Sequence, residues 1–158
     1  MNALSLGIAF LTRFLLIALF LPFSALDKLL NPRQAIAQAE QVVRPRALAA
    51  AFIVIGGIVE VIMSLAILTG FMDRLAAFVL GGYCLVTALL WKRFWGAGDF
   101  RLQGSSRGRD IFWDFLKNVA LAGAFFMLAF GATASGPREF LAHPLASTHP
   151  YRAIEQGH

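Results

Sequence analysis

The chain has 158 residues, of which 58% are hydrophobic and 15% charged, with a mean hydropathy of +0.68. That balance excludes an ordinary soluble domain and fits one membrane domain. The net charge of +5 and the isoelectric point near 10.1 raise nucleic acid as a partner. The basic residues, however, stand in short segments beside apolar spans and form no face that follows a phosphate backbone.

The first apolar span runs from about Leu4 to Leu26, long enough to cross a hydrocarbon core. Arg13 interrupts it and no basic segment precedes it, so it reads as a retained helix rather than a cleavable signal peptide. Pro22 predicts a kink, because proline has no N–H to give the carbonyl one turn earlier, here Ala18. A polar connection from Asn31 to Arg46 follows.

The second span, Leu48 to Leu68, lies in a run of 26 residues between Arg46 and Asp73 whose only charged side chain is Glu60. A lone carboxyl inside such a run is costly in lipid, so it faces protein or water and marks a candidate site. Gly70 is a helix-stop residue and Asp73 suits the first turn of a helix, so the second span and the third, Met72 to Leu90, form a tight antiparallel hairpin. A connection from Lys92 to Asp110 carries Gly96, Gly98, Gly104 and Gly108 and reads as a flexible or binding loop. The fourth span covers Ile111 to Thr133. The membrane domain is thus residues 1–136. The polar tail, 137–158, contains Pro137, Pro144 and Pro150 and is expected to have little regular structure. The fold class is all-α, a four-helix transmembrane bundle.

Nine of the fourteen Lys and Arg residues, counting Lys28 just before the first of them, fall at the two long connections, and Arg74, Arg138 and Arg152 lie on the other side. The positive-inside rule therefore puts both connections in the cytoplasm and both termini on the non-cytoplasmic side.

At about 1.5 Å per residue, Arg13 and Glu60 lie roughly 13 and 12 Å from the same end of antiparallel helices, with Tyr83 at roughly 16 Å. These three are the candidate ligand-binding residues, an Arg/Glu pair with a phenol beside it. Arg13, Ile17, Phe20, Ser24 and Asp27 share one helical face, and Gly56, Gly57, Glu60 and Ser64 another. The pair serves either to fix helix register or to offer charge-assisted hydrogen bonds to a polar head group. A second polar cluster gathers Asp27, Lys28, Asp114, Lys117 and Asn118. There the spacing of Asp114 and Lys117 supports a local ion pair, and the lysines reach the interface by snorkelling.

Cys84 is the only cysteine and reads as a packing residue. His143, His149 and His158 all lie in the tail, so the spans hold no pair of haem ligands and the spacing forms no metal motif. Neither a phosphate-binding glycine loop nor a nucleophile elbow is present. The pairs Gly56–Gly57 and Gly81–Gly82 read as close helix contacts. No catalytic residue and no intrinsic cofactor is assigned.

Arg13, the segment Leu26-Asp27-Lys28-Leu29, Gly56-Gly57-Ile58-Val59-Glu60, Leu68-Thr69-Gly70 with Arg74, and Lys117-Asn118-Val119-Ala120-Leu121-Ala122-Gly123 follow one another in an order that resembles the DoxX family. The resemblance covers roughly Ile8 to Gly131 and falls on Arg13, Lys28, Glu60, Arg74, Lys117 and Asn118. It implies a four-helix protein of the bacterial inner membrane linked to redox complexes, among them the small membrane subunit of a thiosulfate:quinone oxidoreductase. Two departures stand out: Ser24 and Ala25 where a glycine is expected before Lys28, and Ala124 where a second glycine is expected after Gly123.

The combined expectation is a membrane subunit of a quinone-linked oxidoreductase complex, not catalytic alone, with membrane lipid and partner subunits around it and a quinone as candidate ligand. Two alternatives stay open: a structural or assembly subunit without ligand, and a small proton-coupled transporter. A carboxylate paired with Arg13 would resist protonation, which argues against the transporter.

Overall fold

The computed structural model describes residues 3–152; His158 lies outside them. Among the described residues all regular structure is helical, in the order α1 (Ala3–Ile17), α2 (Ala25–Leu30), α3 (Pro32–Glu40), α4 (Arg46–Thr69), α5 (Asp73–Trp91), α6 (Arg107–Phe130) and α7 (Gly136–Ala142). Among the described residues, four stretches are long and apolar enough to cross a membrane: Ala3–Leu30, Arg46–Thr69, Asp73–Gly96 and Arg107–Phe130. Large apolar side chains such as Leu15, Val54, Ile58 and Met127 remain more than half exposed along these stretches. In water they would be an extensive apolar patch, whereas lipid solvates them.

The first span is two helices joined by an irregular segment, Leu19–Ser24, in which Leu21 leaves helical geometry beside Pro22. The expected kink is therefore a break that redirects α2. Gly70 adopts φ +78° at the end of α4, the left-handed conformation that stops a helix, and α5 begins three residues later. Ser106 caps α6 by accepting a hydrogen bond from the Arg109 amide at 3.1 Å.

The buried core runs between the helices through Ile17, Phe20, Ile67, Leu80, Cys84 and Phe125, with Ala76, Ala77, Ala122 and Ala129 allowing close approach. Gly81 is the tightest point of the α5–α6 contact: a Cβ there would lie 2.8 Å from the Phe126 ring. Gly82 faces open space and Gly57 only the Lys28 stem at 3.9 Å. Each glycine pair thus supplies one packing residue, since neighbours on a helix point in different directions.

The two connections and the tail carry structure of their own. The segment from Asn31 to Arg46 is largely the helix α3, with Pro32 in its first turn and its end tied down by Trp91 Nε1 donating to Gln38 O at 3.0 Å. The Lys92–Asp110 connection is packed, because Phe94 sits within 5.1 Å of the rings of Trp95, Phe100 and Phe112. Asp99 also holds the amides of Arg107 and Gly108 at 3.0 and 2.9 Å. The tail forms α7 and then folds back over the end of the bundle that carries the amino terminus and the α4–α5 turn.

Candidate functional site

Arg13 and Glu60 do not pair. In a helix the Cα–Cβ bond leans toward the helix's own amino terminus, so equal depths on antiparallel helices send the two side chains in opposite directions. Arg13 reaches toward the amino-terminal end, where Nη1 donates to Ile67 O at 2.6 Å and Nη2 lies 2.8 Å from Asp73 Oδ2. Ile67 stands seven residues beyond Glu60 on α4, roughly 10 Å along the axis.

Glu60 leans the other way and meets Lys28, which leans back from α2 toward the middle of the bundle. Lys28 Nζ is 2.5 Å from Glu60 Oε1, Ser24 Oγ donates to Oε2 at 2.9 Å, and Lys28 Nζ also donates to Ser24 Oγ at 3.0 Å. Ser24 and Lys28 are one turn apart, so the break at Leu21 and Pro22 aims both at α4. Glu60 is 1% exposed, and the ammonium and the hydroxyl supply hydrogen bonds to its carboxyl oxygens in place of water.

Tyr83 stands beside this pair. Lys28 Nζ is 6.0 Å from the centroid of its ring, and a Cβ at Gly56 would come within 3.3 Å of its hydroxyl, so the glycine keeps the space the phenol fills. Ser24, Lys28, Glu60, Tyr83, Thr87 and Asn118 share a cavity of about 350 Å³. On the other side of Lys28, an apolar groove of about 540 Å³ runs between α2, α3 and α4 past Leu29, Ile36, Ile58 and Ile62. Lys28 and Ile53 line both spaces. The arrangement offers a charged, hydroxyl-bearing pocket opening beside a hydrocarbon-lined channel.

The second polar cluster is divided. Lys28 belongs to Glu60, and Asp27 accepts from Asn31 at 2.8 Å. Asp114 pairs with Lys117 at 3.3 Å, the expected local contact, and with Lys92 at 3.2 Å, which sequence reasoning assigned to no partner. Asn118 donates to Asp114 O at 2.9 Å and also lines the Glu60 cavity.

At the amino-terminal end Asp73 is fully buried and Arg13 is 8% exposed. Thr148 completes their network: its amide donates to Asp73 Oδ1 at 2.9 Å, its hydroxyl donates to Oδ2 at 2.5 Å, and its oxygen accepts from Arg13 Nη2 at 2.5 Å. Ser147 donates to Gly70 O at 2.6 Å, and the Tyr151 hydroxyl donates to Leu68 O. Arg74 Nε donates to Ala129 O at 2.8 Å, linking α5 to the end of α6. Sequence reading gave Asp73 only a role at a helix start, and the tail carried no signal that it would seat on this pair.

Compared with known proteins, residues 8–93 match the DoxX family model, a little over half of the chain. The chain belongs to the DoxX family. The DoxX match contains Arg13, Lys28, Glu60, Asp73, Arg74 and Tyr83, and ends before Asp114, Lys117 and Asn118. No curated protein and no solved structure matches the chain. With its four apolar spans, this member of the DoxX family is a multi-pass membrane protein in contact with lipid.

Proposed function

We propose that the chain is a membrane subunit of a quinone-linked redox complex in the cytoplasmic membrane of a bacterium. In this reading Lys28, Glu60 and Tyr83 hold the head group of a quinone-like amphiphile. The observation that carries it is a cavity of about 350 Å³ that holds Lys28, Glu60 and Tyr83 next to an apolar groove of about 540 Å³, with Lys28 and Ile53 lining both. A quinone needs both: donors for its carbonyl oxygens and a hydrocarbon-lined path for its tail. Lys28 and the Tyr83 hydroxyl would donate, and Glu60 would hold the lysine oriented. Arg13, engaged with Asp73 and covered by Thr148, plays no part in that pocket. Electron transfer itself falls to a partner subunit.

The test is binding of a short-chain ubiquinone to purified protein, followed by tryptophan fluorescence and native mass spectrometry. Lys28→Met combined with Glu60→Gln, which removes both charges together, should remain folded and bind about tenfold more weakly, the scale of one charge-assisted hydrogen bond. Equal binding by variant and wild type would sink the assignment.

A second reading draws on the saturation of the Glu60 carboxylate by Lys28 and Ser24. Such a pair can simply lock α2 against α4 in a structural subunit. It would then predict no quinone binding at all and loss of protein, not of turnover, on substitution.

A further inference from the structure

The basic end of the bundle holds a second cavity, of about 400 Å³, between the end of α3, the end of α5 and the start of α6. Arg93 and Arg107 line it, together with Trp91, Trp95, Leu90 and Ile111, and among the described residues no Asp or Glu does. Among the described residues neither guanidinium takes part in an ion pair. The nearby carboxylates are committed elsewhere: Asp99 to the Arg107 and Gly108 amides, Asp114 to Lys92 and Lys117. Asp110, three residues on from Arg107, makes no ion pair with it.

We infer that this cavity binds the phosphate of an anionic phospholipid. Two arginines lining one space without an ion-pair partner suit a phosphate, which accepts paired N–H bonds from the planar arginine fork. The surroundings select a lipid as its source. Leu90 and Ile111 belong to the ends of membrane-spanning helices, so the cavity opens where hydrocarbon gives way to head groups. Trp91 and Trp95 are the side chains that favour that boundary. Basic pockets between helices at this level hold anionic head groups, and about 400 Å³ accommodates one. The site shares Trp91 with the Glu60 cavity but none of Lys28, Glu60 and Tyr83, and it does not depend on the quinone reading.

The experiment is native mass spectrometry of the whole protein in neutral detergent, titrated with phosphatidylglycerol and, separately, phosphatidylcholine. The same titrations are run on R93Q/R107Q and on R101Q, whose arginine stands in the same connection but does not line the cavity. Melting curves in detergent check that each variant is folded. Wild type should prefer phosphatidylglycerol, R93Q/R107Q should lose about tenfold in affinity, and R101Q should stay within about twofold of wild type. R93K/R107K, which keeps the charge but not the fork, should fall between. Equal losses in R101Q and R93Q/R107Q would overturn the proposal in favour of undirected surface charge. Displacement of the lipid by millimolar inorganic phosphate would overturn it in favour of a free-anion site.

Discussion

Lys28 Nζ lies 2.5 Å from Glu60 Oε1, with Ser24 bonded to both, in the middle of a chain otherwise solvated by lipid. Neither charge can be removed without stranding the other. Breaking a buried pair from one side costs about 3–5 kcal/mol, whereas replacing both partners with neutral groups of similar shape is often tolerated. Lys28→Met should therefore lower the thermal midpoint in detergent sharply, and Lys28→Met combined with Glu60→Gln should recover most of the loss. A double variant as unstable as the single one would mean that the two side chains act independently.

The Arg13–Asp73 pair carries the tail as a third member, so its disruption should be visible at a distance. In Asp73→Asn the carboxylate that orders Thr148 is gone, and the carboxy-terminal segment should be clipped by protease many times faster than in wild type. Thr148→Ala removes only the hydroxyl and should cost about 1–2 kcal/mol, with the bundle intact. Mass spectrometry of timed digests separates the two outcomes. Equal clipping in all three proteins would show that the tail does not depend on this network.

Gly81 and Gly82 are neighbours in α5 with opposite surroundings, which makes them a paired control. Gly81→Ala forces the Phe126 ring to shift from a Cβ that would stand 2.8 Å away, and should cost about 1–2 kcal/mol. Gly82→Ala meets nothing within 4 Å and should be neutral or slightly stabilising through helix propensity. Adding Phe126→Leu to Gly81→Ala should relieve part of the cost. Midpoints of thermal unfolding in detergent read all three.

Tyr83→Phe deletes one hydroxyl from the Glu60 cavity and leaves the Lys28–Glu60 bond in place. If the phenol donates to a quinone oxygen, affinity for a short-chain ubiquinone should fall about fivefold to tenfold with little change in the melting midpoint. Measured together with the Lys28→Met/Glu60→Gln double variant, it distinguishes a head-group contact from a general loss of packing. Unchanged affinity would remove the phenol from the site.

Much of the bundle was legible because apolar run length is a direct consequence of bilayer thickness. The four spans, the Gly70 turn and the disruption at Pro22 follow from residue types acting locally. The partners of the charged side chains were harder to read. Counting residues gives Cα depths, and Arg13 and Glu60 have nearly the same one. The tilt of Cβ toward each helix's own amino terminus then carries a long arginine and a glutamate apart by more than either can span. The same rule, applied to Lys28, would have paired it with Glu60, and applied to Arg13 would have sent it toward the end that carries Asp73. Thr148, Ser147 and Tyr151 were beyond such reasoning. They seat on exposed carbonyls and on Asp73 through a loop whose path no helical period records.

The hydrogen bond between Arg13 and Thr148 joins positions 135 residues apart. A ribosome delivers the arginine to the bilayer well before Asp73 exists to neutralise it, and Thr148 comes 75 residues after Asp73. A chain stopped short of residue 148 would contain all four spans yet leave this ion pair without its last ligand. Translation thus sets the order in which the pocket of charge at that end is closed, and an unfinished copy differs from a finished one in how firmly its first helix is held.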